Sequence, residues 1–476
     1  MNTETQHIVH KLIVEVETNS KEKGIALKDN AAGFVSGSLS PVLEELFEEL
    51  EKKLNGRVLT LESLSIQVSA ASTDLTYGDI DRLIGSAIRE EIEAQIPLAE
   101  ESIPDPLAPG QLISVPKRQL QSIFHFLKTG TKPWWLTNNA SLNQLMETDN
   151  LLELAITDTE TLVRELHSNN TESFLKRMVL QLPETVLIEW FTRAFHFPEK
   201  LPDLPAKIPI RFPDEATKRN WWVSLFQAFY EFRQTGRISL DKAEELIALI
   251  AFKQEADPET LVRFMRSITG EAIPLKREKM IQILQDNKEK QISSKEEKRI
   301  EQGKKTDETE TTDFHTPVEN AGLILLHPFL NPFFTEIGLL EGDQLTDPEL
   351  AVHVLHYLAT GQENSREYEL QFEKFLCGIP EDEPIRQELP LSKEIKEEAE
   401  NLLDAVLEHW TALRSDSPEL LRNEFLQREA KIIIEEFQST RLVFERKAQD
   451  ILLEKLPWNL GIVKIDWRKD LLFVEW

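Results

Sequence analysis

Residues 285–316 read QDNKEKQISSKEEKRIEQGKKTDETETTDFHT and carry almost no apolar side chain. A stretch of this kind cannot bury enough surface to offset the entropy of ordering it, so it reads as a disordered linker or a lone solvated helix. Apolar content returns abruptly in VENAGLILLHPFLNPFF, Val318–Phe334. The chain is thereby divided, with a helical region ending near 284 and a carboxy-terminal module starting at 318.

With 476 residues, 41% of them hydrophobic, the chain has material for a substantial core. At roughly 150 residues per domain its length suggests about three domains. Its 83 acidic residues outnumber 54 Lys and Arg, giving a net charge of −29. Nucleic-acid binding draws on Lys and Arg displacing counterions from phosphates, so nucleic acid is a poor partner for this chain. An anionic membrane surface repels it for the same reason. A basic or neutral protein surface is the better match. Cys377 is the single cysteine, so no intrachain disulfide can form, which fits a reducing compartment. The opening MNTETQHIVHKL lacks the basic and apolar regions of a signal peptide. No stretch reaches the ~20 apolar residues of a membrane span. The expectation is a soluble protein made in the cytoplasm.

The pattern along the chain predicts a mainly α fold with small α+β elements. Residues 1–97 read as a strand–helix–strand–helix module. Ile8, Leu12, Val14 and Val16 share one face of a first strand. Ser20 caps a helix, Pro41 starts a second stripe through Val42, Leu43, Leu46, Phe47 and Leu50, RVLTLESLSIQVS is a strand, and Asp79 caps DIDRLIGSAIREEIEAQI. Residues 98–112 form a proline-rich linker. Residues 113–284 are a helical middle region with proline-rich breaks at 197–213, and 285–317 are the charged linker. Residues 318–476 form a module that is helical to about Leu456 and ends in a β-hairpin. In that hairpin Val463, Ile465 and Trp467 alternate against Leu472, Val474 and Trp476 across a turn at Arg468–Asp470. FHFLKTG (124–130), YEFRQTG (230–236) and LHYLATG (355–361) each end a helical stripe on glycine, so Gly130, Gly236 and Gly361 read as three helix stops. The pairs Trp134–Trp135 and Trp221–Trp222 are expected to bury against neighbouring helices or partners.

Chemistry has few candidates. His327 sits in the most apolar run, and the nearest acids, Glu319 and Glu336, are eight and nine residues away without a linking motif. It reads as a packed histidine bonded to a backbone group. His7 and His10 would share a helix face, but the surrounding strand pattern sets them on opposite faces, and no Cys or His cluster completes a ligand set. Acid runs such as EELFEELEKK are ordinary solvated faces. Cys377, in FLCGIP, reads as buried and inert. GxxxxGK[ST], GxGxxG after a strand, GxSxG and HExxH are all missing. No catalytic, cofactor or metal residue is assigned, and the residues support an acidic, mostly helical interaction protein.

Several segments in order carry a resemblance. VENAGLILLHPFL (318–330), LATGQE (358–363), KFLCGIP (374–380), AVLEHWTALRSDSPELLRNEFLQRE (405–429) and KLPWNLGIVKIDWRKDLLFVEW (455–476) resemble the carboxy-terminal signature of the contractile injection system tape measure family. HIVHKLIVEVETNSKEKGIALKDN and FLKTGTKPWW resemble its amino end and middle. The resemblance implies a non-enzymatic component of phage-tail-like, antifeeding-prophage-like particles that sets tube and sheath length. The implied partners are inner-tube, baseplate or cap proteins. His327, Pro328, Trp410, Pro457, Trp458 and Trp476 match the pattern and are taken as structural. A ruler's length must scale with residue number, and 285–316 spans about 50 Å as a helix or about 120 Å extended. A compact scaffold or chaperone-like adaptor is the alternative, and an enzyme with an unrecognised site the third. Assembly is placed in the cytoplasm, with retention in the finished particle left open.

Overall fold

The computed structural model describes residues 7–9, 12–13, 25, 33, 35–54, 56–61, 63–67, 77–101, 110–136, 139–195, 210–212, 214–249, 251–252, 259, 262–263, 265–266, 273–293, 314–414, 417–434 and 440–476. Its contacts divide the chain into two compact units. The first comprises 1–123, 133–138 and 156–161, and the second comprises the remainder.

In the first unit, α1 (Ser40–Leu54) follows a π-turn at Val35–Leu39, with Pro41 as its second residue. Leu46 and Leu50 of the expected stripe are buried, Leu43 and Phe47 pack beside them, and Ile88 and Ile92 of α2 (Tyr77–Glu101) complete the cluster. Strand β1 (Arg57–Leu61) pairs antiparallel with β2 (Gly110–Ser114), Leu59 opposite Leu112. Three expectations change here. Residues 7–9, 12 and 13 are not in a strand, and the partner of β1 is β2, whose first three residues fall within the expected proline-rich linker. The rest of the expected first strand and Ser20 lie outside the described residues, and of the stretch from Ser20 to Phe34 only Ile25 and Gly33 are described, both helical. Strand β1 stops at Leu61, short of IQVS, and α2 starts at Tyr77. Asp79 therefore lies inside α2 and not at the cap position before it.

Helix α3 (Val115–Thr129) leads into the second unit, whose middle region is helical: α4 (Asn139–Leu145), α5 (Thr148–Thr157), α6 (Thr159–Ser168), α7 (Glu172–Gln181) and α8 (Glu184–Phe195). A two-residue strand β3 (Ile210–Arg211) pairs with β4 (Ala251–Phe252) around α9 (Glu215–Thr235) and α10 (Leu240–Ala248). Helix α11 (Arg277–Ser293) runs into the charged stretch. Local chemistry sets the helix ends. The Asp214 carboxylate accepts from Thr217 N at 2.6 Å at the start of α9. Gly236 closes it at φ +74°, its N–H donating to Phe232 O. Trp221 and Trp222 bury and meet edge to face at 5.5 Å, while Phe191 packs edge to face on Phe229 at 4.8 Å.

The carboxy-terminal module begins with strand β5 (Phe314–Val318), which occupies the end of the charged stretch. A 3₁₀ helix (Ala321–Leu326), α12 (His327–Glu336), the two-residue strands β6 (Leu340–Glu341) and β7 (Gln344–Leu345), α13 (Pro348–Thr360), α14 (Gln371–Cys377) and α15 (Lys393–His409) follow. Gly130 and Gly361, like Gly236, adopt left-handed φ angles, +81° and +71°, directly after α3 and α13. All three helix stops are present.

The expectation of helix to about Leu456 is corrected. After the short α16 (Pro418–Leu421), β8 (Ala430–Ile434) and β9 (Thr440–Phe444) interrupt it before a 3₁₀ turn at Ala448–Lys455. The expected hairpin forms from β10 (Ile462–Lys464) and β11 (Leu471–Glu475), Val463 opposite Leu472, and Trp476 stacks on Phe444 at 3.8 Å. It extends a five-stranded sheet in the order β10-β11-β9-β8-β5, with β11 parallel to β9 and Pro317 in the edge strand β5. The sheet's inner face (Ala430, Ile432, Leu442, Val463, Leu472, Val474) closes a buried cluster built from residues 318 onward.

Gly322 marks the tightest crossing in that cluster. A β-carbon there would lie 1.7 Å from the Phe425 carbonyl oxygen, against backbone that cannot step aside. Gly322→Ala should cost about 3 kcal/mol or more, read as a lower urea midpoint by tryptophan fluorescence; an unchanged midpoint would show that the crossing tolerates a methyl group.

Candidate functional site

Charge inside the second unit is unusually concentrated for an interior. Arg177, Glu367, Glu373 and Lys374 are each fully buried. Unpaired burial of such groups is prohibitive, so their partners define the site. Arg177 projects from α7, which Thr171 caps by accepting from Phe174 N. Its guanidinium forks onto Glu367, Nε to Oε2 at 2.9 Å and Nη2 to Oε1 at 3.1 Å. The remaining donors reach the carbonyls of Leu127, Lys128 and Asp382 at 2.9, 3.1 and 2.7 Å. Lys374, on α14, donates to the same Glu367 Oε1 at 3.0 Å and to the carbonyls of Glu381 and Glu383. Burial pushes the Lys374 ammonium below its usual range, and the Glu367 carboxylate opposes that. Gly130 fits against the pair: a β-carbon on it would fall 2.7 Å from Glu367 Oε1.

One turn away is a second cluster. Asn320 takes the left-handed conformation at φ 54°, which asparagine tolerates better than most residues. Its amide donates to Glu373 Oε1 at 2.8 Å, and His356 Nδ1 donates to the same oxygen at 3.2 Å. A third pair, Arg428 with Asp450 at 2.6 Å, lies beneath Trp476, whose ring faces the guanidinium at 5.5 Å. Indole N–H groups tie distant segments together. Trp458 donates to Leu325 O at 3.0 Å, Trp467 to Leu376 O at 2.9 Å and Trp410 to Leu452 O at 3.2 Å.

The residues singled out in the sequence fall at the margins of these clusters. His327 bonds a backbone group as expected, Nε2 to Asn459 O at 3.0 Å, but half-buried at the start of α12 and not in the interior; burial lowers its pKa. His7 packs on Phe47 at 5.3 Å, and His10 lies outside the described residues. Cys377 is buried, and burial pushes its thiol well above the ordinary value. Trp135 carries the Arg118 guanidinium at 4.2 Å, whereas Trp134 is 43% exposed. Among the described residues no group of three or more His, Cys, Asp or Glu is placed to hold a metal ion, and no helix is long and apolar enough to cross a membrane. Sequence reasoning missed Arg177, Glu367, Glu373 and Lys374, since nothing in a chain this rich in charge marks which ones turn inward.

Internal carbonyls and carboxylates occupy the donors of these buried cations. The family model for the contractile injection system tape measure protein matches residues 6–476, and the chain belongs to that family. No curated protein and no solved structure matches it.

The same module contains a pH-sensitive group. His353, 1% exposed beside Glu349, His356 and Arg386, has its pKa lowered to about 4, chiefly by burial. The unfolded chain binds the proton near pH 6.5 and the folded one only near 4, so stability falls as pH drops through that window. The loss should total roughly 3 kcal/mol. Urea titrations across pH 7 to 4 should show it in the wild type and a shallower slope in His353→Gln; equal slopes would remove His353 as the cause.

Proposed function

We propose that this chain acts inside its particle as a non-catalytic assembly component that sets, or helps to set, tube and sheath length through contacts with inner-tube, baseplate or cap proteins. The carrying observation is the family match across residues 6–476. The family is a structural component, and we extend that to this chain, with no catalytic, cofactor or metal residue assigned. The net charge of −29 supports a setting lined by basic residues. We place the protein in the cytoplasm during assembly.

A compact scaffold or adaptor is the second reading. In its favour, the longest helix among the described residues, α2, has 25 residues and spans about 37 Å. A series that lengthens or shortens residues 285–316 separates the two. Under the first reading, particle length measured by electron microscopy tracks the change; a fixed length selects the adaptor. Co-purification with tube protein should weaken as salt is added, and no association at any salt would remove the charge argument.

A further inference from the structure

Within the second unit, a row of buried polar bonds, a seam, joins the middle helices to the carboxy-terminal module. Arg177 enters the Glu367 carboxylate and reaches Asp382 O. Gln371 Nε2 donates to Gly130 O at 2.9 Å, Gln181 Nε2 to Ile385 O at 3.0 Å, and Asn143 Nδ2 to Glu369 Oε1 at 3.0 Å. By contrast, the buried apolar cluster of the module draws only on residues from 318 onward and does not extend across. The two sides share an edge-to-face contact of Phe126 on Tyr368 at 5.0 Å.

The sharing of one carboxylate by two cations matters most. If the seam opens, Glu367 keeps Lys374, and Lys374 keeps the carbonyls of Glu381 and Glu383. Arg177 keeps the carbonyls of Leu127 and Lys128 on its own side. Neither half is left with a buried charge lacking a partner, the usual penalty for breaking an internal ion pair. Polar interfaces at the border of a packed core are where sub-global opening occurs.

We propose that the middle helical body and the carboxy-terminal module separate along this seam while each stays folded, with Arg177 in the Glu367 socket as the latch. The device lets the chain change its reach without unfolding, and it stands apart from any length-setting role. Thiol labelling of the full chain tests it. Gln371→Cys and Gln181→Cys, made singly, report from opposite sides of the seam, and native Cys377 reports from the module core. Gln371, Gln181 and Cys377 are 9, 1 and 7% exposed, so static exposure is low at all three and cannot account for a ten-fold difference.

With rates normalised to the urea-unfolded chain, each introduced thiol should react at least ten-fold faster than Cys377. Arg177→Met should accelerate the seam thiols about ten-fold more and leave Cys377 unchanged. Asn143→Ala, a milder cut, should act in the same direction and decides the matter if Arg177→Met does not fold. Equal rates at seam and core, or a variant that accelerates all thiols alike, would mean that the unit opens only as a whole and would overturn the proposal.

Discussion

One carboxylate, that of Glu367, organises the second unit. It sits in a single 3₁₀ turn between α13 and α14 and receives a guanidinium from one side and an ammonium from the other. Because it carries one negative charge against two positive ones, the surrounding backbone has to turn carbonyls inward. Asp382, Glu381 and Glu383 do so from the loop after α14, and Leu127 and Lys128 do so from the end of α3. Several loops thus take their course from the need to solvate buried cations. The glycine that ends α3 is required twice, for its left-handed backbone and for the lack of a side chain above the ion pair.

Elements governed by local chemistry were legible in the sequence. The glycines at 130, 236 and 361 stop helices because each follows an amphipathic stripe and only glycine enters the left-handed region without strain. The terminal hairpin was legible because Val463 and Leu472 alternate across a short polar turn. The five-stranded sheet was not. AKIII and TRLVF are five residues each, set between helical stretches, and their partners are as far away as β5 and β11, one of them parallel. Pairing of that kind is a tertiary fact with a faint local trace.

The buried charges were hidden for a different reason. Arg177 and Glu367 are 190 positions apart, and nothing in the local sequence of either pairs them. In a chain with 83 acids, residue type alone cannot tell a socket from a surface. The conspicuous His327 turned out to be a peripheral tie to Asn459, while the unremarkable Asn320 became a joint, because its backbone accepts a conformation that few residues enter. The quoted family segments meet in space through such joints. The indole N–H groups of 458 and 467 stitch one segment to the backbone of another, while that of 410 and the amide of 320 tie their segments to Leu452 and Glu373 just outside them.

Pro317 bears on how copies of the chain behave when crowded. It lies in β5, at the margin of the five-stranded sheet, where an imide nitrogen has no hydrogen to offer an incoming chain. The opposite margin, β10, is only three residues long. Neither border makes a good template for strand addition. This sheet is therefore guarded against edge-to-edge pairing between crowded copies of the chain.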